Sequence, residues 1–238
     1  MRTDKLLANM GYGSRKEVKK LLKKGGLLVN GEKVTDGKTH IDPENDVIEV
    51  FGEKVEYKSF IYLMMNKPQG VISATEDISE ETVIDILEPE DVIFEPFPVG
   101  RLDKDTTGLL LLTNDGKLAH QLTSPKKKVD KTYRVHIDAP LEEGDKEALE
   151  AGVVLDDGYE TKPAKLEYIN GESGTVVNLT ITEGKFHQVK RMFEARGRKV
   201  VALKRESMGP LSLDPNLDLG TYRELTDEEI EWLKSANE

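Results

Sequence analysis

The sequence contains no cysteine, one tryptophan and 6% aromatic residues in a chain of 238. Without cysteine there is no disulfide and no thiolate metal site. The longest strongly apolar stretch is centred on Leu109–Leu112, far short of the roughly 20 residues that a membrane-spanning helix needs. The charged start at Met1–Asn9 lacks the apolar core of a signal peptide. These absences predict a cytoplasmic protein that does not associate with membranes.

The chain does contain enough apolar residues to form a folded core. Hydrophobic residues make up 37% and charged residues 33%, and the length suits two small domains or one domain with an appendage. The four histidines are scattered without a metal-binding spacing, and no glycine-rich phosphate-binding motif is present. The sequence therefore predicts neither a metal site nor a nucleotide cofactor.

The charges are distributed unevenly along the chain. The formal net charge is −11, yet residues 1–30 carry eight basic and two acidic residues, a balance of +6 that leaves −17 for the rest. Two further basic stretches lie at 126–134 and 185–205. A solvated helix face explains any one such stretch, but three together favour RNA or DNA as the partner.

The N-terminal segment has the pattern of a small module of two short helices and a sheet. Ser14 and Glu17 have the spacing of a capping box, which predicts a helix over 15–24 that ends at Gly25. This helix carries basic residues on its polar side: Arg15, Lys16, Lys19 and Lys20. The sequence leaves two interpretations open, a phosphate-binding surface or a solvated basic face on a packing module.

A tight hairpin is predicted over 27–34 because apolar residues flank the turn pair Asn30-Gly31. A strand follows at 47–50, and the polar segment 53–59 is interpreted as a linker. The segment resembles the S4 RNA-binding domain, through Arg2, Asp4, Lys5, the Ser14-Arg15 pair and the hairpin. In that family the second helix lies on RNA. The resemblance therefore implies an RNA-binding domain over 1–57, with Arg15, Lys16, Lys19 and Lys20 at phosphates.

The remainder mixes strands and helices without a regular alternation, which indicates an α+β fold with a mixed, largely antiparallel sheet flanked by helices. Strands are predicted at 61–65, 108–113, 132–137, 164–169, 175–182 and 200–205. Helices are predicted near 82–87, at 116–122, 142–150 and 186–196, and from Thr226 with Glu229 as its capping partner.

The most informative stretch is 100–116, in which four leucines follow a polar loop. The leucines are typical of a strand buried on both faces, so a carboxylate in the loop before it is partly desolvated and needs a partner. Asp103 and Asp105 are both candidates, and the residues alone do not choose between them. Residues two apart on an extended segment face opposite ways, which argues against a glycosidase pair. The loop could also serve only to cap backbone amides.

The string G-R-L-D-x-x-T-x-G-L-L-L-L-T-N-D-G resembles the catalytic motif of the pseudouridine synthases of the small-subunit rRNA synthase family. The elements Asn66–Gly70, Lys131–Tyr133 and Gly184–Met192 also match that family. The resemblance implies that Asp103 is the nucleophile, that residues 60–238 form the catalytic domain, and that Arg101 and Leu203 lie at the target base. It also implies RNA contacts for Lys67, Lys131 and Arg191.

Two residues can be interpreted on physical grounds as well. Lys190 lies at the margin of a helical stripe formed with Phe186, Val189 and Phe193, so its ammonium group either covers apolar surface or finds an anion, for which Asp103 is the natural choice. Tyr133 stands beside a basic stretch, where an aromatic ring can stack on a base, although a lone tyrosine is more often a core or edge residue.

The resemblance implies isomerisation of uridine to pseudouridine in 16S ribosomal RNA, with uridine 516 as the expected target. The partner would be ribosomal RNA or a partly assembled small subunit, and the protein would act as a monomer without cofactor or metal. The alternatives are a noncatalytic RNA-binding or ribosome-assembly factor, and a synthase of the same family that acts on a different rRNA uridine. The sequence leaves open whether Asp103 attacks C6 of the base or C1′ of the ribose.

Overall fold

The computed structural model describes residues 1–55, 57–169 and 174–235. The chain forms two compact units. The first comprises Met1–Ile61 together with Leu87–Glu95, and the second comprises Tyr62–Ile86 and Pro96–Glu238. The first unit is thus discontinuous in sequence. The division of function at 57 and 60 stays a prediction.

The first unit combines three helices with a four-stranded antiparallel sheet. Its elements are α1 (Thr3–Asn9), α2 (Arg15–Lys23), β1 (Leu27–Val29), β2 (Glu32–Lys33), β3 (Ile48–Val50), β4 (Glu53–Val55) and α3 (Pro89–Val92), and the strand order is β2-β1-β3-β4. Buried Leu6, Leu7, Val18, Leu22 and Ile48 form part of the core.

The capping box and hairpin predicted for this unit are confirmed. The Glu17 carboxylate accepts hydrogen bonds from the backbone N–H and the hydroxyl of Ser14, at 2.7 and 2.6 Å. Asn30 and Gly31 adopt the positive φ angles of 52° and 80° that a tight hairpin turn requires. The predicted linker is wrong in its first part because residues 53–55 pair with β3 as strand β4. Residue 56 of that segment lies outside the described residues.

The second unit is built on a nine-stranded mixed sheet. Its strands are β5 (Tyr62–Lys67), β6 (Phe97–Pro98), β7 (Thr107–Thr113), β8 (Lys131–Ile137), β9 (Lys165–Tyr168), β10 (Val176–Ile181), β11 (Val200–Met208), β12 (Leu211–Ser212) and β13 (Tyr222–Glu224). Its helices are α4 (Gly116–Thr123), α5 (Asp145–Ala151), α6 (Gln188–Glu194) and α7 (Asp227–Ser235).

The strand order is β13-β5-β7-β11-β8-β10-β9, with β6 and β12 paired at the side, and only β7 and β11 run parallel among these strands. The predicted α+β fold with a mixed, largely antiparallel sheet is therefore confirmed. Within the described residues no helix is both long and apolar enough to cross a bilayer.

Strand β7 carries the four leucines and brings the preceding loop against the middle of the sheet. Leu109–Leu112 are fully buried, as predicted. Gly108 has φ +101°, and a Cβ atom there would lie 2.3 Å from the carbonyl oxygen of Arg205 on β11. Only glycine permits this close approach of the backbones of β7 and β11 just after the loop of Asp103 and Asp105.

Two helix predictions differ from the structure. No helix forms at 82–87, because Thr82 makes a β-bridge with Ile72 and its N–H and hydroxyl both bind the carboxylate of Asp85 in a local turn. The helix predicted from Phe186 begins two residues later, because His187 adopts a left-handed conformation with φ +49°.

Candidate active site

The loop that precedes β7 presents the carboxylate of Asp103. The loop turns tightly, since the N–H of Thr106 donates to the carbonyl of Asp103 at 3.0 Å. The Asp103 carboxylate lies 3.2 Å from the ammonium group of Lys190 and 3.6 Å from Nε2 of His187. The predicted pairing of Asp103 with Lys190 is thus present in the structure.

Lys190 also binds a second carboxylate. Its ammonium group donates to Asp105 at 2.6 Å, so the expectation that Asp103 and Asp105 face opposite ways is wrong: the tight turn replaces the extended segment it assumed. Partial burial alone would lower the pKa of Lys190, but hydrogen bonds to Asp105 and Asp103 outweigh it and raise the pKa. The hydrogen bond from Lys190 lowers the pKa of Asp105. Lys190 therefore joins α6 to both ends of the turn.

Lys67 supports the same turn from inside the protein. Its ammonium group donates to the carbonyls of Pro68, Asp103 and Thr106 at 2.9, 3.1 and 3.1 Å, and the residue is 0% exposed. Burial lowers the pKa of Lys67 to about 8. The prediction that Lys67 contacts RNA is therefore wrong, because a fully enclosed amine held by three carbonyls cannot reach a phosphate.

A second layer of hydrogen bonds ties the segment after Lys67 to the Asp103 loop. Ser73 Oγ donates to the carbonyl of Leu102 and accepts from its N–H, at 2.9 and 3.0 Å. The N–H of Gly70 donates to the carbonyl of Lys104 at 2.9 Å. The backbone around Asp103 is consequently held on both sides before any substrate binds, which is the preorganisation that a reacting group needs.

A cavity of about 500 Å³ opens beside Asp103. Arg101, Asp103, Lys131, Tyr133 and Leu203, all singled out from the sequence, line it together. Tyr133 on β8 is 8% exposed, and its neighbour across the ladder on β11 is Arg205. The cavity has an apolar wall and a carboxylate at its edge, and its size suits one flipped nucleotide.

The cavity lining also contains residues that sequence reasoning missed. Tyr159 donates its hydroxyl hydrogen to Glu183 at 2.7 Å, and Gln188 donates to the same carboxylate at 2.8 Å. The ammonium group of Lys185 lies 4.5 Å from the centre of the Tyr159 ring, and Lys162 also lines the cavity. Lys185 and Gln188 belong to the matched segment 184–192, whereas nothing in the sequence around Tyr159 and Lys162 marks them.

The sequence predicts an RNA contact for Arg191, and in the structure its guanidinium group pairs with two carboxylates. Its Nε donates to Asp156 at 2.6 Å, and its Nη2 pairs with Asp157 at 2.7 Å. The side chain is largely covered, and its charge is neutralised by two carboxylates. Arg191 therefore anchors the 156–157 turn to α6, and its contact with RNA stays a prediction.

Phe186 and His187 form a stacked aromatic pair before α6, with ring centres 3.8 Å apart. Phe186 is 74% exposed, so its assignment to the buried stripe of that helix is wrong. The left-handed residue His187 interrupts the helical geometry, and the ring of Phe186 lines the cavity instead of the core. His187, which sequence reasoning also missed, faces Asp103.

An exposed basic helix in one unit and a carboxylate beside a cavity in the other are features that suit an enzyme acting on RNA. Residues 1–48 match the family model of the S4 domain, and residues 61–195 match that of RNA pseudouridylate synthase. The chain belongs to the RNA pseudouridylate synthase family. It is an RNA pseudouridine synthase, an isomerase, and carries an N-terminal S4 domain.

Relatives resemble the chain over nearly its whole length. An uncharacterized RNA pseudouridine synthase of Bacillus subtilis is 60% identical over 98% of both chains. Ribosomal small subunit pseudouridine synthase A of Escherichia coli is 41% identical over 97% of this chain and 98% of its own. A crystal structure of a pseudouridylate synthase is 40% identical, has a TM-score of 0.69 and covers 98% of this chain and 99% of its own.

Proposed function

We propose that the protein converts a uridine of small-subunit ribosomal RNA, uridine 516 of 16S rRNA, to pseudouridine with Asp103 as nucleophile. The proposal rests on one observation above all. The Asp103 carboxylate stands at the edge of a nucleotide-sized cavity, with its side chain paired to Lys190 and its carbonyl held by Lys67. Relatives at 41 to 43% identity are named for the small ribosomal subunit, which supports this substrate class.

The reaction begins when the target uridine leaves its stack and enters the cavity, at a cost of a few kcal/mol in unstacking. Tyr133 and Leu203 offer apolar surface to the base, and Arg101 lies exposed at the same cavity. An Asp103 oxygen attacks C6 or C1′, the N1–C1′ bond breaks, the uracil turns, C5 bonds to C1′, and the bond from Asp103 to C6 or C1′ breaks to free the carboxylate. The C5 proton leaves and N1 gains a proton, so the composition is unchanged and no cofactor is consumed.

RNA is held by exposed basic residues outside the reacting centre. Arg15, Lys16, Lys19 and Lys20 are all exposed on α2, while Val18, Leu21 and Leu22 of the same helix are buried. This division suits phosphate contacts from the S4 domain. Lys131 is half-buried at the cavity wall and serves the target region. The protein acts as a cytoplasmic monomer on ribosomal RNA or a partly assembled small subunit.

The first prediction tests the nucleophile. Asp103→Asn removes the attacking carboxylate and keeps the shape of the side chain, so we expect no detectable pseudouridine and an RNA dissociation constant within about threefold of wild type. Chemical tagging of pseudouridine on naked 16S rRNA and on partly assembled subunits measures the product and identifies the substrate particle.

Asp105→Asn is the matched control, because this side chain contacts Lys190 from the same turn but is the more exposed carboxylate. It should retain turnover. Wild-type turnover in Asp103→Asn would overturn the assignment of the nucleophile. RNA binding by the wild type without any modified uridine would instead support the noncatalytic assembly factor.

A further inference from the structure

Two buried polar atoms in the wall of the cavity have no hydrogen-bonding partner. Among the described residues, four buried side-chain atoms are left unpaired in this way: Asn66 Oδ1, Thr106 Oγ1, Asn178 Oδ1 and Arg205 Nη2. Thr106 and Arg205 both line the cavity, and neither asparagine does. A buried donor without an acceptor costs about 1–3 kcal/mol, and more when it is charged. The unpaired atoms therefore indicate that a polar ligand completes this wall.

Arg205 is the more unusual of the two. It is 2% exposed, its Nε donates to the carbonyl of Leu109 at 2.8 Å, and within the described part of the chain it forms no ion pair with a carboxylate. It interacts with another cation: burial first and the charge of Arg205 second lower the pKa of Lys131. An unneutralised guanidinium in such a place is unfavourable in the free enzyme and favourable beside negative charge.

The surroundings of Arg205 suit a base better than a phosphate. Leu203, Tyr133 and Met208 line the same cavity, and Tyr133 is the partner of Arg205 across the β8–β11 ladder, so this part of the wall is largely apolar. The cations suited to hydrated phosphates, Arg101 and Lys185, are exposed at the same cavity. A flat, partly apolar ring with carbonyl oxygens at its edge matches the buried wall, and uracil is such a ring.

We infer that Arg205 is a further catalytic residue, which binds a carbonyl oxygen of the flipped uracil and stabilises the negative charge that develops there, while Thr106 Oγ1 hydrogen-bonds the same base. This inference rests on the proposed function. Attack at C6 moves the C5=C6 electron pair into conjugation with the C4 carbonyl. Attack at C1′ releases the N1–C1′ electron pair into the uracil ring. Both routes place negative charge on carbonyl oxygens, so the inference holds for either one.

The test combines protein variants with altered carbonyls in the substrate. The full-length wild type, Arg205→Met and Thr106→Val are compared in single-turnover reactions on RNA that carries uridine, 2-thiouridine or 4-thiouridine at the position the wild type modifies. Sulfur is a weaker hydrogen-bond acceptor than oxygen. We expect Arg205→Met to lower the single-turnover rate by roughly 10²–10³-fold, as loss of an oxyanion donor does, with little change in RNA affinity.

The decisive result is whether the effect of Arg205→Met depends on the thio substitution in the RNA, which we call coupling. If Arg205 contacts one carbonyl, replacing that oxygen by sulfur should slow the wild type by roughly tenfold but slow Arg205→Met by less than about twofold, because the interaction is already absent. Which thio substitution couples identifies the oxygen. Additive effects at both O2 and O4 would overturn the inference, and so would coupling of Arg205→Met to a methylphosphonate at the target nucleotide, which would assign it to a phosphate.

The controls distinguish loss of the Arg205 contact from loss of protein stability and from a wrong assignment of the substrate. Thr180→Val removes a hydroxyl from the same sheet that bonds to Thr132 at 2.8 Å, outside the cavity lining, and should show neither rate loss nor coupling. If Arg205→Met fails to fold, Thr106→Val and Arg205→Lys complete the cycle, since the first is isosteric and the second keeps the charge. Absence of product from the wild type on unmodified small-subunit rRNA would refute the proposed substrate itself, a result distinct from absent coupling.

Discussion

At the scale of single residues, the site depends on two lysines that act from opposite sides of one turn. Lys190 binds the carboxylates of Asp103 and Asp105, whereas Lys67 binds the carbonyls of the same turn from within. The first controls the side chains and the second controls the backbone. Removing either one should damage chemistry more than RNA binding, because neither amine lies free at the surface.

Lys67→Met tests the backbone support. The methionine fills most of the volume but leaves three carbonyls without their donor, and hydrogen bonds from charged groups contribute about 1.5–3 kcal/mol each. We expect the single-turnover rate to fall by roughly 10–100-fold with the RNA dissociation constant unchanged within about threefold. Lys104→Met is the matched control, because its exposed pair with Glu80 lies on the same loop and contributes little. Equal losses in both variants would contradict a specific role for Lys67.

The buried amine of Lys67 also predicts a pH dependence of stability. The folded chain loses this proton near pH 8, whereas an unfolded chain holds it to the ordinary value of 10.5. Between these values the unfolded state binds more protons, so the free energy of unfolding attributable to Lys67 rises with pH, by about 1 kcal/mol per pH unit. Denaturant unfolding of wild type and Lys67→Met at pH 7 to 10.5 measures the difference, and parallel curves would contradict the prediction.

At the scale of elements, the sequence predicted correctly those helices and strands that are determined by residues close together in the chain. The Ser14 and Glu17 capping box placed α2 correctly, and the run Leu109–Leu112 placed β7. The predictions are wrong where contacts between residues far apart in the sequence determine the structure. Thr82 pairs with Ile72 instead of starting a helix, and Tyr159 reaches the cavity only through the tertiary fold. Lys67 was misjudged as well, although its position at the end of buried strand β5 was a usable signal.

Helix α2 allows a test of phosphate binding by charge alone. Lys16→Ala, Lys19→Ala and Lys20→Ala each remove one exposed cation, so each variant should lower the salt slope of RNA binding by about 0.7–0.9 and weaken binding to all sequences alike. Titrations at several salt concentrations measure the slope. Lys54→Ala on β4, exposed on another element of the same unit, is the control. An unchanged slope in all three α2 variants would assign the basic face to solvent.

At the scale of the whole molecule, the proposed function divides RNA capture and chemistry between the two units. The net charge of −11 repels RNA in general, so the basic face of α2 and the cavity cations concentrate attraction at defined places. Asp103, Tyr133, Lys190 and Arg205 all belong to the second unit. Sequence reasoning reached this division through two resemblances. It did not foresee that residues 87–95 belong to the first unit, because no motif marks them.

Deletion of residues 1–57 tests the division of labour. We expect the apparent KM for RNA to rise while the single-turnover rate at saturating RNA stays within about tenfold of wild type, since loss of uniform binding leaves the chemical step unchanged. Circular dichroism establishes that the shortened protein is folded, and the combined Lys16, Lys19 and Lys20 variant of the full chain is the control for charge. A folded deletion protein without chemistry would show that the S4 domain helps to build the active site.

The discontinuity of the first unit has a consequence for its folding during synthesis and for recombination of its gene. Its two N-terminal helices and its sheet end at residue 55, but Ile93, whose side chain would meet a Cβ atom at Gly11 within 2.5 Å, belongs to the later segment. A ribosome adding about 5–20 residues per second must therefore synthesise β5 before the first unit can be complete. An exchange of genes that cut near residue 57 would transfer the S4 domain, which matches residues 1–48, but would leave behind the segment 87–95 that completes the first unit of this chain.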